Sequence, residues 1–109
     1  MIHCGVVVTN NVKRVEFAVN SYIKNSQHSI GCIVVWDGSF CPQELLDYKT
    51  EMGDNISIVL GHGLDVYGMF NLGVTKLKSG AEHVLLFNDD MYFPPYYDDG
   101  LDKYKSIDV

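Results

Sequence analysis

Positive charge is what this sequence has least of. Eight Lys and Arg stand against 14 Asp and Glu in 109 residues, for a formal net charge of −6. Affinity for nucleic acid rests on clustered cations that neutralise phosphates, so this balance argues against a nucleic-acid partner. An anionic phosphate ligand of any kind would need help, most simply from a divalent cation. Long apolar runs are missing as well: GCIVVW and HVLLF fall far short of the roughly 20 residues a helix needs to span a bilayer. The start, MIHCGVVVTNN, carries neither the basic region nor the cleavage site of a secretory leader. A soluble, intracellular (cytoplasmic) protein with no membrane span is therefore expected. Cysteine is scarce too. Cys4, Cys32 and Cys41 are odd in number and lack C-x-x-C spacing, which argues against a disulfide framework or a zinc site and leaves buried reduced thiols. No internal repeat, linker or low-complexity stretch divides the chain.

What is present is a core. A hydrophobic content of 47% over 109 residues suits one globular domain spanning 1–109. GVVVT (5–9) is a β-branched run ended by Asn10 and Asn11, the pattern of a buried strand entering a loop. Val15, Phe17, Ala18, Val19, Tyr22 and Ile23 then recur at helical spacing between Lys13, Arg14, Glu16 and Asn20, which predicts a helix of about 12 residues ending near KNSQHS. IGCIVVW (30–36) predicts a second strand stopped by DGS, and Pro42 opens a second helix that Gly53 closes. ISIVL (56–60) reads as the third strand. The segment 65–79 reads as a third helix, with Asp65 as its N-cap and Gly80 beyond its end. HVLLF is the fourth strand. Strands alternating with helices imply a mainly parallel sheet with helices on its faces, because parallel neighbours need a crossover.

In such a sheet a ligand binds beyond the carboxyl ends of the strands, where strand order reverses. Residues 9–11, 37–39, 61–65 and 88–90 all follow strands, so one edge collects them into a polar, acid-containing cleft. The NDD cluster at 88–90 has two readings. It is a turn at a strand end, or it holds a hard cation such as Mg2+ or Mn2+, which takes oxygen ligands and keeps places for substrate phosphates. Gly68 and Gly73 each cost about 1 kcal/mol inside a helix, which asks for close packing on the sheet or for ligand approach. Asn71, between them, is a surface amide or a ligand contact. His62 faces solvent or a phosphate, while His3, His28 and His83 fall at element edges without metal-ligand spacing. Trp36 and the tyrosines of 92–97 pack in the core or rim, or form a stacking wall for a base or sugar.

Four segments in order, VVVTNN, VVWDGS, GMFNLG and LLFNDDMYFPP, resemble the inverting glycosyltransferases of family 2, over residues 4 to about 95. The resemblance implies an α/β fold: a Rossmann-like GT-A nucleotide-binding domain with helices on both faces of its sheet, truncated after that half. It implies that Thr9 and Asn11 lie beside nucleobase and ribose, and that Asp37, with Ser39 in the same turn, receives a base such as uracil. Gly68 and Asn71 belong to the Gly-x-x-Asn-x-Gly helix of that family. Asp90, with Asn88, corresponds to the metal ligand of its Asp-x-Asp-like motif, holding Mn2+ or Mg2+, and Asp89 or Asn88 turns toward the ribose. Asn88 stands where the family's first Asp is expected.

The implied activity is transfer of a sugar, hexosyltransferase-like, from a nucleoside-diphosphate sugar (a UDP-sugar first) to an unknown acceptor. In the family, the acceptor site and general base belong to a second half, whereas this sequence ends at Val109, soon after MYFPP. No residue is therefore assigned as catalytic. Two alternatives stay open: an inactive nucleotide-sugar-binding module, or a scaffold and interaction protein keeping only the fold, as a compact viral genome would carry. Asp98 and Asp99 read as a solvated, charged helix start, and a short helix is possible around Leu101 and Tyr104. An uncovered fourth-strand edge beside Tyr92, Phe93, Tyr96 and Tyr97 leads to the expectation of a homo-oligomer, a twofold dimer through segment 92–97.

Overall fold

A computed structural model of the chain describes residues 2–99. The helix anticipated around Leu101 and Tyr104 lies outside them. Four strands and three helices alternate: β1 (His3–Thr9), α1 (Val12–Lys24), β2 (Ser29–Trp36), α2 (Gln43–Met52), β3 (Ile56–Leu60), α3 (Val66–Val74) and β4 (His83–Asn88), with a 3-10 turn at Gly53–Asn55. The sheet is wholly parallel in the order β3-β2-β1-β4. The chain works outward from β1 to β2 and β3, then returns to the other side of β1. The switch point of the fold is thus the gap between the ends of β1 and β4.

Alternation along β1 and β2 fixes the two faces. Val7, Cys32 and Val34 point to one side, where Val15, Ala18, Val19 and Tyr22 of α1 and Leu45 and Tyr48 of α2 close over them. Cys4, Val6, Ile33 and Val35 point to the other, where Met69 of α3 completes a second cluster. Full burial on both sides explains why these strands read as unbroken apolar runs. Gly73 is where α3 meets the sheet, since a Cβ there would run into Val6 and Val35. Close packing is therefore what this glycine provides.

The caps follow local chemistry. The Asn11 side chain accepts from the backbone N–H of Arg14 at 3.0 Å, and Asp65 accepts from Gly68 N–H at 2.7 Å. Gly53 closes α2 with φ of 60°, a conformation that costs glycine little. Helix α3 is shorter than its periodicity suggested. It stops at Val74, and Lys76 N–H and Leu77 N–H bond back to Gly73 and Val74 in tighter turns, which still bring Leu77 onto the core.

Two expectations fail here. Phe17 does not join the apolar face of α1: it is 63% exposed and its ring lies 5.8 Å from that of Tyr92. His3 stands at the edge of an element as expected, opening β1, and is fully buried there. Asp98 is not solvated either. It is fully buried, accepting from Ser26 Oγ at 2.7 Å, His3 Nε2 at 2.9 Å and the backbone N–H groups of Gln27 and His28 at 3.0 and 2.9 Å. The segment after β4 folds back to reach this position. Phe93 N–H donates to Ser21 Oγ, Tyr96 N–H to Asn25 O and Tyr97 Oη to Tyr22 O, while the Phe93 ring packs against Tyr22 and Phe87. This strap covers part of the flank that the sequence left bare.

Candidate functional site

The carboxyl ends of the strands are drawn together by backbone bonds that prolong the ladder. Asp37 N–H donates to Thr9 O and Gly61 N–H to Trp36 O, both at 2.8 Å. Above them opens a cleft of about 250 Å3 lined by Val8, Thr9, Asn10, Arg14, Asp37, Val66, Met69 and Asp89. Three of the residues singled out in the sequence meet here: Thr9 from β1, Asp37 from the loop after β2 and Asp89 from the loop after β4.

Thr9 is the hinge of the arrangement. Its side chain is 3% exposed, and its Oγ1 lies 2.8 Å from Asp89 Oδ2 and 3.1 Å from Asn11 O while accepting from Asn11 N–H at 3.0 Å. A hydroxyl has one proton, and the shorter approach to a charged acceptor takes it. Asp89 is held on its other oxygen by Arg14, whose Nη1 stands 3.6 Å from Oδ1. The carboxylate is thus fixed from two sides, and the cleft contains a cation that the sequence reading left among the solvent-facing residues of α1. What could have revealed it is position: Arg14 lies on the first turn of the helix that leaves the β1 loop.

Other expected residues stand apart from this wall. Asn11 caps α1 and reaches the site only through Thr9. Ser39 and Asn71 are exposed, Gly68 sits under the Asp65 cap, and none of the three lines the cleft. Asn88 and Asp90 are exposed beside Asp89. His62 is exposed in its loop. Trp36 is half-buried and packs against the α1 side of the core.

Among the described residues no group of three or more His, Cys, Asp or Glu side chains is placed to hold an ion. Asn88 ends β4 and Asp89 and Asp90 follow it, with both oxygens of Asp89 engaged by Thr9 and Arg14. Asp98 has no part in this. Spanning β1 from His3 to Thr9 at about 3.3 Å per residue puts it about 20 Å away, at the amino end of the sheet.

Helices on both faces of a four-stranded parallel sheet, with a cleft at the switch point, define a small Rossmann-like α/β domain. Among solved structures, the crystal structure of S. aureus TarS 1-349, a GT-A-like glycosyltransferase, matches it with a TM-score of 0.68 at 18% sequence identity. The match covers 94% of this chain and 31% of that one, and it is a likeness of fold. No family model and no curated protein matches the sequence. No helix among the described residues is long and apolar enough to cross a membrane.

Proposed function

We propose that the cleft binds a nucleoside-diphosphate sugar and that the chain is the nucleotide-binding part of a glycosyltransferase. The supporting observation is the meeting of Thr9, Asp37 and Asp89, from three strand ends, in one cleft at the switch point of a GT-A-type fold. In this reading Asp37, exposed on the rim, accepts a hydrogen bond from the base, for which uracil is the first candidate. Asp89, held by Thr9, faces the ribose or the diphosphate. Asp90, with Asn88, contributes to a Mn2+ or Mg2+ site that is complete only when the diphosphate is present. The ion would supply neutralisation of the diphosphate and Lewis-acid stabilisation of a departing nucleoside diphosphate.

Calorimetric titration of the chain with UDP, in Mn2+ and again in EDTA, tests this. Saturable binding in Mn2+ that is lost in EDTA and abolished by Asp90→Ala is expected. Equal affinity with and without the metal would remove the cation from the reading. No binding of UDP or GDP under either condition would overturn the nucleotide site itself. Radiolabelled sugar transfer then separates an active enzyme from a module that only binds.

A further inference from the structure

The cleft holds two carboxylates, Asp37 and Asp89, and one guanidinium, that of Arg14. We infer that Arg14 is the residue that receives the diphosphate, exchanging its contact with Asp89 for the phosphate oxygens when the nucleotide enters; this rests on the nucleotide-diphosphate reading of the cleft.

Three observations carry the inference. The guanidinium is 55% exposed while Asp89 is 13% exposed, so the arginine is the partner free to turn. Their separation of 3.6 Å is an ion pair without the tight, two-pronged geometry that makes such pairs strong. Asp89 also keeps its 2.8 Å hydrogen bond from Thr9 if Arg14 leaves, so the carboxylate stays oriented and is not stranded. A guanidinium offers phosphate a planar fork of donors, which a diphosphate satisfies better than a single carboxylate oxygen does. An acidic protein thus gains a cation at the one place where its ligand is anionic.

The test compares UDP with uridine, both in Mn2+, on the wild-type chain and on Arg14→Gln. Calorimetry follows UDP and NMR shift titration follows uridine. Loss of one charged hydrogen-bonding group predicts about a ten- to hundredfold weaker hold on UDP and an unchanged hold on uridine. Arg14→Lys should recover part of the loss, since an ammonium keeps the charge without the fork. Circular dichroism of both variants should match the wild type. Unchanged UDP affinity in Arg14→Gln overturns the inference, as does an equal loss for uridine, which would make Arg14 only a support for Asp89. Failure of the wild-type chain to bind UDP would overturn the nucleotide reading of the cleft, and this inference with it.

Discussion

His3 Nε2 lies 2.9 Å from Asp98 Oδ2, with both side chains fully buried, so a residue at the start of the first strand is tied to the end of the strap that follows the last. An ionised carboxylate only accepts, so His3 donates from Nε2, while its Nδ1 lies 2.6 Å from Tyr22 Oη. Burial pushes the Asp98 carboxyl up, but hydrogen bonds from Ser26, His3 and the N–H groups of Gln27 and His28 outweigh it and hold the group well below the usual carboxylate range. Asp98→Ala strands those donors and should cost about 3–5 kcal/mol in urea denaturation. Because the folded carboxyl is the more acidic one, its contribution is fully present above about pH 4 and lost as pH falls below that. The stability gap between wild type and Asp98→Ala should therefore narrow in acid; a gap that widens there would contradict the ionised assignment.

The two glycines of α3 should respond oppositely to a methyl group. Alanine is favoured over glycine by about 1 kcal/mol in a helix, but overpacking costs about 1–3 kcal/mol. Gly73→Ala drives its Cβ into Val6 and Val35, both fully buried, so it should be destabilising overall. At Gly68 the nearest atoms are 3.2 Å away, on Asp65 and on the exposed Leu64, which can give way. Gly68→Ala should leave stability level or raise it. Thermal melts of the two variants check the contrast.

Thr9 and Asp37 should separate support from contact. Thr9→Val keeps the shape but leaves Asp89 and the Asn11 N–H without their hydroxyl partner, a loss of about 1–3 kcal/mol together with weaker UDP binding. Asp37→Ala should weaken UDP binding while changing stability by less than about 0.5 kcal/mol, since the side chain is exposed. A large fall in melting temperature for Asp37→Ala would make it a structural residue.

Assembly is open to the same kind of test. Phe93 is buried and Tyr97 half-buried in the strap, so a dimer through 92–97 now depends on Tyr92 and Tyr96, 53% and 64% exposed, with Phe17 beside Tyr92. Sedimentation at micromolar concentration should show a species near twice 12.3 kDa, shifted toward monomer by Phe17→Ser with Tyr92→Ser. A wild-type monomer overturns the dimer.

The strand–helix alternation was legible because buried parallel strands are apolar throughout and each ended in a polar loop, as at Asn10, Asp37 and Asn88. Helix α1 was legible from its stripe, except at Phe17, where an aromatic at a plausible spacing lies on the solvent side. The convergence of Thr9, Asp37 and Asp89 followed from topology alone. Asp98 did not. In YYDDG nothing local says which aspartate turns inward; the choice is made by donors at residues 3 and 26–28, far along the chain. Arg14 was missed for a related reason, since charge on a helix normally faces water and only the neighbouring loop turns this one toward a site.

The strap gives the molecule a front and a back. Its anchor at His3 and Asp98 lies at one end of the strands and the cleft at the other, about 20 Å apart along β1. A dye or a surface linker joined at the exposed Gln27, beside that anchor, would hold the domain by its back with the cleft facing solution. The same attachment at Asn10 or Asp37 would block the opening it was meant to report on.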